Sequence, residues 1–283
     1  MKIAVTGGSG LAGSAVVSHL LETGYDVVSI DRRPPSHPVT EFRLVDCEDL
    51  GQVYSAGHGV DAIVHLAAIP RPIHHTPDQV FRTNVMATFN IFEAAAILEI
   101  PRVVYISSMS VLGLPFSYTP IRLAYLPIDE AHPGAPQDAY ALSKALGEDI
   151  ALAFVRRMDG KLSAASLRFP WIHTPETFKA ELPPFQKDSA LGATVLWGYI
   201  DTRDVARACR LALEADISGH EAFYISAKNT FAKADTTPLA GEYYPEAEIR
   251  SYLSGNQALF NCSKAEAMLG YESQFSWEQY EWT

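Results

Sequence analysis

Three cysteines are all that the sequence offers for crosslinks or soft metal ligands, and Cys47, Cys209 and Cys262 stand too far apart for a disulfide framework or a CxxC metal motif. No run of Lys or Arg breaks a chain in which 33 acidic residues outnumber 22 basic ones, for a net charge of −11. That balance argues against nucleic acid and anionic membrane as partners. No apolar run approaches the ~20 residues that span a bilayer. The first residues already read as a strand, without the basic and apolar regions of a secretory leader, so a reducing, cytoplasmic setting is expected. Repeats and low-complexity tracts are missing as well. What is left is a globular composition, 48% hydrophobic and 19% charged over 283 residues. It suffices for one large α/β domain, or one domain with a smaller appendage.

Lys2 to Thr6 (KIAVT) has the pattern of a short buried strand and runs directly into GGSGLAG and the helical run SAVVSHLLETG. Gly7, Gly10 and Gly13 thus form G-x-x-G-x-x-G at a strand-to-helix junction. Such a loop turns tightly, lets backbone N–H groups approach a pyrophosphate and aims a helix N-terminus at its charge. A second strand, Tyr25 to Ile30, ends at Asp31. A carboxylate there accepts hydrogen bonds from ribose hydroxyls and repels a 2′-phosphate, which favours NAD over NADP; the adjacent Arg32 and Arg33 pull the other way.

Tyr140 and Lys144 lie in DAYALSKALGEDIALAF, whose density of Ala, Leu, Glu and Lys and three-to-four-residue apolar spacing predict a helix. Four residues apart, a phenol and an ammonium share one face. Moving a Tyr from pH ~10 to about 7 takes roughly 4 kcal/mol, and a fixed cation works in that direction. Such a Tyr can pass a proton to or from a substrate hydroxyl. Tyr224 and Lys228 have the same spacing, but AFYISAK reads as a strand entering a loop and places no such pair.

Further strands are expected at Glu41 to Val45, ending at Asp46 beside an adenine edge, at VDAIVHLAA, at Arg102 to Ser107 and at Lys161 to Phe169. The loop IPRPIHHTPD carries Arg71, His74 and His75. Without a carboxylate or Cys at metal spacing, the two histidines read as solvated and no metal site is expected. Arg71 lies near the strand ends where ligands bind. Helices are predicted over 78–98, with Asn84 bridging to the sheet or to a cofactor, and over 201–215; 171–198 reads as a Pro-rich aromatic lid, and 229–260 fits no pattern. Ser107 and Ser108 arrive at the same sheet edge.

The motifs TGGSGLAG, Asp31, Asp46, HLAA at 65–68, Asn84, SSMSVLG, YALSK, LRFPWIHTP and YIDTRDVA, in this order, resemble those of the extended short-chain dehydrogenase/reductase family, also called the NAD-dependent epimerase/dehydratase family. The resemblance covers residues 1–215, and the closing SKAEAMLGYESQFSW is similar to the family's last helix and turn. It implies a Rossmann-type doubly wound parallel sheet (1–170) and a small C-terminal substrate lobe (171–283), with about 199–225 returning to the first domain. It implies Ser108 as the substrate-orienting hydroxyl, Tyr140 as acid/base, and Lys144 as the group that holds the nicotinamide ribose and lowers the Tyr140 pKa. The implied NAD contacts are Gly7, Gly10, Leu11, Gly13, Asp31, Arg32, Asp46, Cys47, Leu66, Ala67, Ala68, Asn84, Tyr140, Lys144, Phe169 and Pro170. A homodimer through the helices at 78–98 and 137–158 is implied too.

Departures narrow the chemistry. Met109 and Ser110 stand where the family's dehydratases carry an acid, which disfavours elimination. Trp171 and Trp197 replace an Asn and a phosphate-gripping Arg of its nucleotide-sugar enzymes. A Trp offers no bidentate grip, but it can stack on the apolar face of a sugar. The expected substrate is therefore a small sugar, sugar acid or related hydroxy-compound without a diphosphate, with Arg71, Ser108, Trp171, His173, Trp197 and Arg203 as candidate contacts. Oxidoreduction is the leading reading. An NAD-retaining epimerase and a non-catalytic NAD(P) sensor are the alternatives.

Overall fold

A computed structural model describes residues 1–36, 39 and 41–280. In chain order its strands are β1 (Lys2–Thr6), β2 (Asp26–Asp31), β3 (Glu41–Leu44), β4 (Ala62–His65), β5 (Arg102–Ser108), β6 (Tyr125–Leu126), β7 (Ser163–Phe169), β8 (Trp171–His173), β9 (Tyr199–Asp201), β10 (His220–Tyr224) and β11 (Glu248–Ile249). The helices are α1 (Leu11–Glu22), α2 (Leu50–Gly57), α3 (Pro77–Ile97), α4 (Ala139–Arg157), α5 (Pro175–Lys187), α6 (Ser189–Ala193), α7 (Thr202–Glu214), α8 (Thr236–Tyr243) and α9 (Ser263–Leu269).

Seven strands form one parallel sheet in the order β10-β7-β5-β4-β1-β2-β3. The chain winds outward from β1 to β3, then crosses back to β4 and winds the other way. The crevice therefore opens at the carboxyl ends of β1 and β4, where an open α/β sheet binds its ligand. A parallel sheet covered on both faces needs strands apolar on both sides, and successive residues do divide this way. Ile3, Val5, Val64, Val104 and Leu167 pack on the side of α1 and α7, while Ala4, Ile63, Val103 and Tyr105 pack on the side of α2, α3 and α4. The sheet and its two helical layers are the Rossmann-type architecture that the sequence predicts.

A third apolar cluster, with Met109, Leu126, Phe178, Trp197, Tyr224, Phe260 and Trp277 among its members, forms the smaller lobe. Two short parallel pairings, β8 with β9 and β6 with β11, frame it. Within the lid segment a capping box between Thr174 and Thr177, with a Pro at the start, initiates α5. Among the described residues no helix is long and apolar enough to cross a membrane.

Candidate active site

The glycine loop is shaped by contacts that exclude side chains. At Gly7 the backbone takes φ +70°, and a Cβ would sit 2.8 Å from the Ala67 nitrogen. At Gly13 a Cβ would fall 2.0 Å from the Gly7 carbonyl oxygen, so only glycine lets α1 approach β1 this closely. Gly10 begins α1, and no side chain caps it. Its first N–H groups therefore face the crevice with the positive end of the helix dipole. Leu11 is exposed beside them. Asp31 closes the loop from β2: its carboxylate accepts the Ser9 N–H (3.1 Å) and the Arg33 N–H (3.1 Å). Arg32 and Arg33 are themselves exposed. Sequence reasoning missed Ser9, whose hydroxyl also donates to the Arg33 carbonyl at 2.8 Å. This cradle, with a free helix N-terminus and a carboxylate at its rim, fits a dinucleotide.

Other expected contacts divide into those that line the crevice and those that build its wall. Leu66, Ala67 and Ala68 follow β4 half-buried. Asp46 is half-buried, its carboxylate accepting the Glu48 N–H. Asn84 is spent on structure: its Oδ1 accepts the Ile69 N–H (2.7 Å) and its Nδ2 donates to the Ile69 carbonyl and to Ser143 Oγ. It bridges α3 to the loop after β4 and to α4. Cys47 belongs to the core, with burial pushing its thiol up to about 12. The Phe169 ring does too, which leaves only the backbone of Phe169 and the buried Pro170 to border a ligand.

Asp138 caps α4, accepting the N–H groups of Tyr140 (2.8 Å) and Ala141 (3.0 Å), and so fixes where the first turn lies. Tyr140 faces Ser108 at the end of β5, whose hydroxyl accepts the Ser110 N–H and bonds Ser110 Oγ at 3.0 Å. Burial pushes the Tyr140 phenol up to about 12, against the opposing pull of Ser108 and of the Arg71 charge. Lys144 is 4% exposed. Its Nζ donates to the Ile106 carbonyl at 2.6 Å and lies 5.7 Å from the Tyr140 ring centre. Burial lowers the ammonium to about 7. This corrects the expected lowering of the phenol by Lys144: the ammonium is turned into the sheet, and desolvation governs both groups.

In the lid the expected substrate contacts mostly turn inward. Trp197 is fully buried with φ +49°, its Nε1 donating to the Ser189 carbonyl at 2.8 Å. It fills the core of the small lobe and has no face for a sugar. Arg203 commits its guanidinium fork to Asp201 at 2.8 and 2.7 Å and lies over the Phe275 ring, so it grips its own helix start. His173 is buried against Phe178, with its Nδ1 at 3.2 Å from Thr177 Oγ1 and burial holding its pKa at about 4. Trp171 is half-buried, edge-on to Phe185 and Phe231. Arg71, His74 and His75 are all exposed. Tyr224 and Lys228 are no pair: Tyr224 is buried under the Arg168 guanidinium, while Lys228 stands exposed near Glu272.

Residues 3–226 match the model of the NAD dependent epimerase/dehydratase family. The chain belongs to that family. It is thus an NAD-dependent enzyme on an extended short-chain dehydrogenase/reductase fold. Among relatives, it is 27% identical to the L-arabinose 1-dehydrogenase (NAD(P)(+)) of Haloferax volcanii, over 76% of this chain and 84% of that protein. It is 26% identical to the UDP-glucose 4-epimerase of Corynebacterium glutamicum, over 96% of this chain and 90% of that protein. The fold also superposes on a short-chain dehydrogenase/reductase superfamily protein from Agrobacterium tumefaciens crystallised with bound NAD. The TM-score is 0.75 at 23% identity, covering 99% of this chain and 94% of that one.

Proposed function

We propose that the protein is a dehydrogenase of a small sugar, sugar acid or related hydroxy-compound, working between a secondary alcohol and its ketone. The observation that carries this reading is the meeting of Ser108, Tyr140 and Lys144 at the end of β5, beside the crevice that the glycine loop enters. Bound NAD supplies the hydride acceptor. Tyr140 takes the proton of the substrate hydroxyl, Ser108 holds the same oxygen, and Lys144 orients the nicotinamide ribose. Residues 1–170 serve the cofactor and 171–283 mainly the substrate. Asp31 at the rim of the loop supports NAD over NADP.

A small substrate is supported by the lid, where Trp171, Phe185 and Phe231 pack against one another and no Arg replaces the grip that Trp197 gave up. Arg71 is the exposed cation whose charge reaches Tyr140. It suits an anionic group on the substrate, as in a sugar acid. Resemblance to an arabinose dehydrogenase over most of both chains supports the same reaction class.

The test is to denature the purified protein, identify any nucleotide released, and then follow NADH formation with neutral aldoses and with uronic acids. Recovery of an empty protein that turns over one of these with free NAD is expected, with Arg71→Met raising KM about tenfold for acidic substrates only. Stoichiometric NAD retained through purification, with no net NADH from any sugar, would instead overturn the dehydrogenase, with interconversion of two epimeric sugars then separating the epimerase from a sensor.

We further propose a homodimer through α3 and α4. Met86, Phe89 and Ile97 stand exposed along one stripe of α3, with Leu142 exposed on the neighbouring α4. A second copy of this chain, related by a twofold axis, covers such a stripe with its own. Light scattering of the wild type should give twice the mass of the chain, and Phe89→Glu should give the monomer. A monomeric wild type at micromolar concentration would end the proposal.

A further inference from the structure

Tyr140, Lys144 and Glu148 follow one another at four-residue steps, so all three stand on one face of α4. That face lies on β5 and β7. The approach is close because residue 147 is glycine: a Cβ there would meet the Tyr105 hydroxyl at 2.1 Å. Glu148 is well inside this contact. Its Oε1 accepts the Ser107 hydroxyl at 2.5 Å and the Arg168 Nε at 2.9 Å, and its Oε2 accepts Arg168 Nη2 at 2.7 Å. The two charged side chains are only 13% and 12% exposed.

The partners of Glu148 are neighbours of the acting groups. Ser107 precedes Ser108, and Arg168 precedes Phe169, and each pair is in register across β5 and β7. The same carboxylate also acts on Lys144, favouring its charged form against burial. The other titratable groups around that ammonium cannot do this. His65 on β4 is fully buried and neutral, Tyr105 on β5 and Tyr140 on α4 are neutral phenols, and Arg168 on β7 is a cation. Among the described residues Glu148 is the anion acting on Lys144.

We propose that Glu148 is the positioning residue of this site: one carboxylate joins the strand of Ser108, the strand of Phe169 and the helix of Tyr140 and Lys144. Three consequences follow from the geometry. The bidentate Arg168 fork fixes the plane of the carboxylate, so its free lone-pair directions are set. Ser107 is held by its hydroxyl, which fixes the end of β5 where Ser108 stands. Lys144, one helical turn earlier, feels that carboxylate as an opposing charge, which favours its ammonium against the lowering by burial. A residue serving only as the counter-ion of Arg168 would do the first of these and not the third.

The inference rests on Lys144 belonging to the acting site, but its test needs neither substrate nor cofactor. Lysine labelled with carbon-13 at Cε is incorporated, the Lys144 signal is assigned by its loss in Lys144→Met, and its titration is followed by NMR in the ligand-free protein. In Glu148→Gln the midpoint should move acidward by about one pH unit, a roughly tenfold loss of the charged fraction on the alkaline side. The same variant should bind NAD about fivefold more weakly at neutral pH. In Arg168→Gln, where the carboxylate is released from its other partner, the midpoint should move the opposite way, and Glu148→Asp should restore most of the wild-type value. If Glu148→Gln does not fold, Arg168→Gln and Glu148→Asp still decide the matter. A Lys144 midpoint that stays put while only the melting temperature falls would overturn the proposal and leave Glu148 a structural counter-ion.

Discussion

Tyr140→Phe is expected to lower kcat by about 10²–10⁴-fold, the usual worth of a positioned acid/base, while leaving NAD affinity within a few-fold of the wild type. The substitution is clean because the local structure does not depend on the hydroxyl. Asp138 caps α4 through the backbone N–H of residues 140 and 141, and Ser143 Oγ donates to the carbonyl of residue 140. A Phe ring keeps all of these. What disappears is the phenol facing Ser108, under the influence of Arg71. With the wild type, the rate of substrate oxidation should climb with pH, because the phenol is held above its ordinary value, up to about 12, and is a poor base at neutrality. In the Phe variant the residual rate should lose this dependence. Stopped-flow measurement of the first turnover, with NAD binding followed by fluorescence, checks both halves. Retention of kcat within threefold would remove Tyr140 from the chemistry, and an unchanged biological effect of that mutant would favour the sensor.

The cofactor half of the chain is legible in the sequence because its signals are local and redundant. β1, the glycine loop and α1 follow one another within a single supersecondary unit, and Asp31 closes the loop from the next strand. The lobe beyond residue 170 is less legible for a physical reason. β6 is two residues long and pairs with β11, from a distant part of the chain. Thr236 and Thr237 hold the stretch at 229–260 through hydroxyl bonds to the carbonyls of Gln257 and Leu253. Neither device leaves a periodicity. Pro183 and Pro184, part of the Pro-rich stretch at 171–198, lie inside α5, where its capping box and buried Phe178 and Leu182 outweigh them. Trp197 and Arg203 look like ligand contacts when judged by residue type, whereas packing in one and pairing with Asp201 in the other settle their use. Glu148 was missed although its signal is the one that found Lys144, continued for one further turn of α4.

Lys144→Met should also abolish turnover, yet make the folded protein more stable at pH 6, by about 1–3 kcal/mol. Lys144 is buried, and its ammonium is lowered from 10.5 to about 7 by desolvation, against the pull of Glu148. Between those two values the unfolded chain binds a proton that the native protein does not, so the wild type gains stability as pH rises through that window. At ~1.4 kcal/mol per unit the whole interval is worth on the order of 5 kcal/mol. Below about 7 the native state carries the full cost of a buried cation, partly offset by the bond to Ile106 at 2.6 Å. Met fills a similar volume without charge, and Glu148 keeps its fork with Arg168. The advantage of the variant should therefore be largest at pH 6, shrink as pH rises above about 7 and reverse towards pH 10, where the native wild-type lysine is neutral. Chemical denaturation of both proteins across that range measures the difference directly, since titrations common to the two cancel. A variant less stable than the wild type at every pH, with a flat difference, would show that Lys144 contributes packing and hydrogen bonding beyond what its charge costs. A sloping difference would identify a lysine kept at the expense of stability, as expected of a group retained for its charge in the reaction.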